Sequence, residues 1–251
     1  MAEADVLEAR HLTKDFGGFL AVKDVSLSVK GGTIHALIGP NGAGKTTVFN
    51  LISKVLSPTA GRILYCGRDI TRRSAAAVAR QGICRSFQIS AVFAHITVLD
   101  NVRVALQRPL GISFRFWQSV RCLDTLNDTA MALLESVGLT SHWAQPAGEL
   151  PYGRKRALEL AMTLAMNPKL LLLDEPMAGL GREDIRSITK LVRSVAKGRT
   201  VLLVEHNLGV VADLSDRITV LQRGEVLAEG SYEEISHNPD VITAYLGAAD
   251  A

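Results

Sequence analysis

The stretch "GPNGAGKTT" at 39–47 gathers three glycines, a lysine and two hydroxyls in a pattern suited to holding phosphate. Gly39, Gly44, Lys45 and Thr46 fit the spacing G-x-x-x-x-G-K-[ST]. Backbone N–H groups converge on an anion only where the chain turns tightly, which is why glycine recurs; Pro40, Asn41, Gly42 and Ala43 complete the loop as expected binding residues. An apolar strand should precede this loop and a helix should start at Lys45, whose first amides add partial positive charge. Lys45 would bring a compact cation to the outer phosphates. The Thr46 hydroxyl can bind Mg²⁺, and Thr47 closes the motif.

Complementary acids stand in "LLLLDEP" at 170–176. Four consecutive leucines predict a strand covered on both faces. Asp174 at its end can orient Mg²⁺ through water. Glu175 turns toward the other side, where it can polarise a water for attack on a γ-phosphate. His206 follows the apolar run "VLLV" at 201–204. A lone histidine there is an ordinary hydrogen-bonding residue; beside a phosphate loop and an acid pair it becomes a catalytic candidate. Gln88, after an expected strand over 83–87, carries no meaning in isolation.

These groups need a scaffold. Alternating apolar residues split by Gly-Gly pairs in the first forty positions predict antiparallel strands leading into a buried strand, Thr33 to Ile38. The helix from Lys45 should carry Val48, Leu51, Ile52 and Val55 on one face. "GRILYCGRDI" predicts a strand and a turn. Strand signals then vanish between about 90 and 150, where Val98, Val102 and Leu106, then Leu123, Leu126, Met131, Leu134 and Val137, recur at helical spacing. That pattern predicts a helical lobe inserted into an α/β core. Alternation resumes with a strand over 169–174, a helix near 183–196, a strand over 200–204 and a hairpin around Arg223-Gly224, a pair that is not an ideal type I′ turn.

Composition narrows the function classes. The 251 residues are 47% apolar, enough for a sizeable core, with a net charge of only +3. Lys and Arg are scattered, so nucleic acid is not an expected partner. A mean hydropathy of +0.18 leaves room for an apolar docking surface. No apolar run approaches the ~20 residues of a membrane span, and the acidic opening "MAEADVLEAR" lacks a signal-peptide core. A cytosolic chain, held at a membrane only through a partner, is the expectation. Cys66, Cys84 and Cys122 are far apart and form no C-x-x-C, so they read as ordinary reduced residues.

In chain order, these motifs resemble those of the ABC-type ATPases. They are Walker A (39–47), a Q-loop glutamine (Gln88), a signature (150–154), Walker B with its glutamate (170–175), a D-loop-like "MAGLGRED" (177–184) and a switch histidine (His206). The resemblance runs from Leu7 to about Gly247. Finer features resemble the branched-chain amino acid importer group: "GICRSFQISAVFAHITVLDNV", "LPYGRKRALELAMTLA", "LLLDEPMAGL" and the ending "VITAYLG". The family signature L-S-G-G-Q stands here as Leu150, Pro151, Tyr152, Gly153 and Arg154. Proline suits the first turn of a helix, where an N–H is spare. The residue at the A-loop aromatic position is Phe16, which can stack on adenine but offers no hydroxyl. Gly181 replaces the asparagine or aspartate common in the D-loop.

The resemblance implies an α/β fold: a P-loop core with a parallel sheet, an antiparallel β part and an inserted helical subdomain. The whole chain, 1–251, would be one such domain, with 1–90 and 151–251 forming the core, about 91–150 the helical subdomain, and the signature helix running to about 166. It implies ATP and Mg²⁺ as ligands, Thr46, Gln88 and Asp174 at the metal, Glu175 as base, His206 at the γ-phosphate and Gly153 facing a partner's ATP. Implied partners are a second ATPase, identical or a paralogue, a membrane permease at whose cytoplasmic face the chain sits, and an external solute-binding protein. Branched-chain or other hydrophobic amino acids are the implied cargo. Urea or another small solute, and a soluble scaffold such as one for iron–sulfur cluster assembly, are the alternatives. Phe114, Phe116 and Trp117 read equally as a permease-docking patch or as part of the helical lobe's core.

Overall fold

The computed structural model describes residues 5–86, 92–108, 111 and 120–246. In chain order the elements are β1 (Asp5–Phe16), β2 (Phe19–Lys30), β3 (Ile34–Ile38), α1 (Lys45–Ile52), β4 (Ala60–Tyr65), β5 (Arg68–Asp69), α2 (Ala75–Arg80), β6 (Ile83–Ser86), α3 (Val98–Gln107), α4 (Asn127–Ser136), α5 (Tyr152–Leu164), β7 (Leu170–Asp174), α6 (Arg182–Ala196), β8 (Thr200–Val204), α7 (Leu208–Leu214), β9 (Arg217–Gln222), β10 (Glu225–Gly230), α8 (Tyr232–Ser236) and α9 (Pro239–Leu246). They form two compact units. One comprises Met1–Arg85, Lys169–Glu175 and Ala196–Ala251; the other comprises Ser86–Pro168 and Pro176–Val195.

The first unit holds two sheets. Strands β2-β1-β4-β5 make an antiparallel four-stranded sheet, and β10-β9-β3-β8-β7-β6 make a six-stranded one. In the larger sheet β3 pairs in parallel with β8 and β9, and β7 pairs in parallel with β8. Every residue of β3, β7 and β8 is buried, as strands rich in apolar residues in a sheet covered on both faces require. One apolar core joins the sheets through α1: Leu7, Val25, Leu37, Val48, Phe49, Leu51, Leu172 and Leu202 all belong to it. On the other face, Ala36, Ile38, Ile218 and Val220 pack with Val211, Ile235 and Val241 from the C-terminal helices.

Three local outcomes refine the sequence reading. The helix from Lys45 carries Val48, Leu51 and Ile52 inward but ends at Ile52, where Lys54 turns to φ 62°. Val55 therefore leaves the expected face and is 60% exposed. Arg223 and Gly224 both take positive φ, 50° and 85°, between the paired Gln222 and Glu225. That is the backbone a type I′ hairpin demands, adopted despite the arginine. Cys66-Gly67, at φ 47° and 73°, repeats the device between β4 and β5.

The second unit is helical, with α3, α4 and α5 mutually packed. Val98, Val102 and Leu106 of α3 are buried together with Leu126, Ala130, Leu134 and Leu158. Thr97 caps α3 by accepting from the Asp100 amide at 3.0 Å. Buried Asn101 ties the preceding loop to the helix, accepting from the Phe93 amide at 2.8 Å and donating to the Phe93 and Thr97 carbonyls. Phe114, Phe116 and Trp117 lie outside the described residues.

A buried histidine gives the core a pH dependence. His35 on β3 is 1% exposed, with Nε2 2.8 Å from the Thr219 hydroxyl, and burial lowers its pKa from 6.5 to about 4. A histidine whose folded pKa lies below its unfolded one binds fewer protons when folded. Stability is therefore lost as pH falls from about 6.5 to about 4. That shift corresponds to about 3 kcal/mol. In urea unfolding followed across this window, His35→Gln should lose about 3 kcal/mol less than the unsubstituted chain; parallel pH profiles would refute the assignment.

Candidate functional site

The carboxyl ends of three parallel strands determine where the expected groups meet. Leu37 of β3 stands beside Val204 of β8, and Val204 stands beside Asp174 of β7. At one level, therefore, β3 releases the glycine-rich loop, β8 releases Glu205 and His206, and β7 ends on Asp174 and Glu175. Ligands of open parallel sheets bind in the crevice outside such strand ends.

The glycine-rich loop is shaped by two forced glycines. Gly39 has φ 148°, and a Cβ there would lie 2.2 Å from the Leu221 carbonyl oxygen. Gly44, at φ 99°, would meet the Ala21 carbonyl oxygen at 2.7 Å. Between them the Ala43 amide donates to the Pro40 carbonyl at 3.2 Å, while the Ala43 carbonyl accepts from Gly224 at 3.0 Å. Helix α1 begins at Lys45 with neither a side-chain cap nor an acid in its first turn. Its leading amides thus have no capping side chain of their own, which suits an anion. Lys45 is 8% exposed, and its Nζ donates to the carbonyls of Gly39 at 2.6 Å and Pro40 at 2.9 Å. Burial lowers its pKa, with the Glu175 carboxylate acting in the opposite direction. Asn41, Gly42 and Thr46 are exposed; Pro40 and Thr47 are half-buried.

The acid pair is held in two different ways. Asp174 has a fully buried side chain, and its Oδ2 accepts from Nη2 of Arg85 on β6. Its Oδ1 is buried without a hydrogen-bond partner. A hard carboxylate oxygen left bare in this way fits a magnesium ion held mainly through water and phosphate. Glu175 departs from the strand at φ 46°, a left-handed backbone unusual for a residue with a side chain, and its amide donates to Val204 at 2.9 Å. That turn carries Glu175 out of the buried strand to a half-buried position near Lys45. His206 is exposed, with its amide on the Glu205 carboxylate at 3.1 Å.

Phe16 closes β1 at a hairpin tip, 47% exposed, with the Lys14 ammonium 5.0 Å from its ring centre. Gln88 lies outside the described residues. The signature residues belong to the helical unit. Pro151 is the N-cap of α5 rather than a first-turn residue, Leu150 is buried, and Arg154 donates to the His142 ring. Gly153 is packed so closely that an added Cβ would lie 2.7 Å from the Asp184 carboxylate. Tyr152 donates to the Ala178 carbonyl at 3.4 Å and accepts from Arg156 at 3.0 Å.

Two site residues escaped the sequence reading. Arg85 offered one signal, a cation inside the otherwise uncharged "GICRSF". Glu205 is fully buried and accepts from the amides of His206 and Asn207; its place directly after an apolar strand was the available hint.

Known proteins match almost the whole chain. A model of the ABC transporter family matches residues 22–178, and a model described as the branched-chain amino acid ATP-binding cassette transporter matches 225–251. The chain is 40% identical to the high-affinity branched-chain amino acid transport ATP-binding protein BraF of Pseudomonas aeruginosa, covering 97% of this chain and 98% of that one. LivG of Escherichia coli K12, which carries the same description, is also 40% identical over 97% of this chain and 98% of its own. Among solved structures, an ATP-binding cassette of an ABC transporter in its ADP conformation superposes with a TM-score of 0.84 at 30% identity, covering 97% of this chain and 99% of that one. A dimeric cassette bound to ADP and Pi gives a TM-score of 0.74 at 25% identity, over 90% of this chain and 98% of that one. With phosphate loop, acid pair and strand order in place, the chain belongs to the ABC transporter ATP-binding family, in the group of branched-chain amino acid transport ATP-binding proteins.

Proposed function

We propose that this chain binds and hydrolyses ATP with Mg²⁺ and so powers uptake of branched-chain or other hydrophobic amino acids through a membrane permease. The observation that carries the hydrolytic reading is the convergence of Lys45, Asp174 and Glu175 at one sheet edge. The C-terminal family match and the relatives' descriptions favour amino acid uptake over urea uptake or a soluble scaffold.

The loop amides from Gly39 to Thr46 and the α1 N-terminus would receive the β- and γ-phosphates. Lys45 would exchange its two carbonyl partners for phosphate oxygens, with no loss of donor count. Thr46 and Asp174, with Gln88 by family resemblance, would hold Mg²⁺, which neutralises phosphate charge when bound. Glu175 takes a proton from water as the water oxygen attacks the γ-phosphorus. The bond to the bridging oxygen breaks, and ADP and phosphate leave. His206 steadies the γ-phosphate and that base. Phe16 stacks on adenine.

A second ATPase, identical or a paralogue, supplies the opposing signature. The Gly153 amide of each chain faces the nucleotide of the other, so ATP closes the pair and hydrolysis releases it. Among the described residues no helix is long and apolar enough to cross a membrane. In this reading the chain sits at the cytoplasmic face, bound to a permease fed by an external solute-binding protein.

Proteoliposomes holding the permease, both ATPases and the binding protein should accumulate labelled leucine only when ATP is inside with this chain. Accumulation of urea but not leucine would overturn the cargo assignment. Glu175→Gln should lower turnover by about 10²–10⁴-fold while ATP holds the pair closed; wild-type turnover would exclude Glu175 as the base. Lys45→Ala should abolish nucleotide binding by calorimetry, and unaltered affinity would refute the role given to the loop.

A further inference from the structure

Arg85 lies on β6, a strand whose first two residues, Ile83 and Cys84, are buried. Its side chain is only 13% exposed. A cation taken out of water is retained only where partners replace the lost solvent, and Arg85 has partners from two elements. Nη1 donates to the Asn50 side-chain oxygen at 2.6 Å and to the Ser53 hydroxyl at 3.2 Å, both at the C-terminal end of α1. Nη2 donates to Asp174 Oδ2. The guanidinium also lies 5.5 Å from the centre of the Phe49 ring. The fork is thus divided between the phosphate-loop helix and the acid at the end of β7.

This division has a chemical consequence. A guanidinium facing a carboxylate squarely occupies both of its oxygens. Here only Oδ2 is engaged, while Oδ1 of Asp174 and Nε of Arg85 stay buried without hydrogen-bond partners. Because Nη1 is committed to α1, the plane of the guanidinium is set, and with it the rotation of the carboxylate. The oxygen left for another partner is Oδ1.

We propose that Arg85 is a positioning residue for the metal-orienting acid: a clamp that ties Asp174 to α1 and reserves Oδ1 for the hydrated ion. The proposal rests on the reading of Asp174 as the Mg²⁺ acid. Lysine cannot reproduce it, because one ammonium on a flexible stem does not hold two acceptor sets in one plane.

The test is ATP affinity measured by calorimetry on the full chain, with Mg²⁺ and with EDTA. The ratio of the two dissociation constants reports the metal's contribution without turnover. Arg85→Met should keep its EDTA value within about threefold of the unsubstituted chain and lose at least about tenfold of the Mg²⁺ enhancement. Arg85→Lys should recover part of it, and Asn50→Ala, which frees Nη1, should lose an intermediate amount. An unchanged Mg²⁺ enhancement in Arg85→Met and Asn50→Ala overturns the clamp. If Arg85→Met fails to fold, an unchanged enhancement in both Asn50→Ala and Arg85→Lys overturns it equally. Asp174→Asn separates the two readings. If it retains full enhancement, the metal role of Asp174 itself fails. If it alone loses enhancement, only the clamp fails.

Discussion

Parallel pairing among β3, β8 and β7 is the constraint on which the site depends. The register that sets Leu37, Val204 and Asp174 side by side also fixes the level at which each strand releases its chain. A slip of one residue would move a strand end by about 3.3 Å and turn every side chain to the opposite face. Asp174 would then face the wrong side of the sheet, and Glu175 would start its turn from the wrong level. The largely apolar content of these strands excludes that slip poorly, because both faces are covered. Register is instead enforced by specific polar ties, such as the Ile34 amide on Asp216 at 2.7 Å and the Gly32 amide on Thr200 at 3.1 Å.

Charge is the second organising factor. The edge gathers Lys45, Arg85, Asp174 and Glu175 in a region from which water is partly excluded, and each charge is kept by a different arrangement. Lys45 rests on two carbonyls of its own loop, so burial penalises its ammonium without leaving it unsatisfied. Asp174 survives complete burial because a guanidinium touches it. Glu175 avoids deep burial through its left-handed backbone. Two adjacent acids thereby acquire different surroundings and can take different roles.

Most of this was legible from local pattern. The glycine spacing of the phosphate loop, the leucine run before Asp174 and the helical spacing after Val98 are short-range signals, and they predicted the corresponding elements. What was not legible depended on distant partners. Val55 continued an apolar helical pattern, but the chain had already turned at Lys54, whose ammonium reaches the Thr71 carbonyl at 2.6 Å. Arg223 is a poor residue for its turn by propensity alone. The conformation is held because Gly224 donates to Ala43 at 3.0 Å and accepts from Lys23 at 2.7 Å. Arg85 gains its meaning only when β6, α1 and β7 are brought together. Pro151 was expected inside the first turn and stands one step before it, a difference of phase that composition cannot resolve.

The hairpin at Arg223-Gly224 carries a consequence for biosynthesis. The phosphate loop is encoded well before the residues that complete its shape: Gly39 abuts the Leu221 carbonyl, and Ala43 bonds Gly224. A nascent chain leaving the ribosome amino-end first therefore carries the glycine-rich segment, until the hairpin is made, without the backbone that braces it. At 5–20 residues per second, roughly ten to forty seconds separate the two. Over that interval the segment lacks the backbone contacts that brace it in the folded chain.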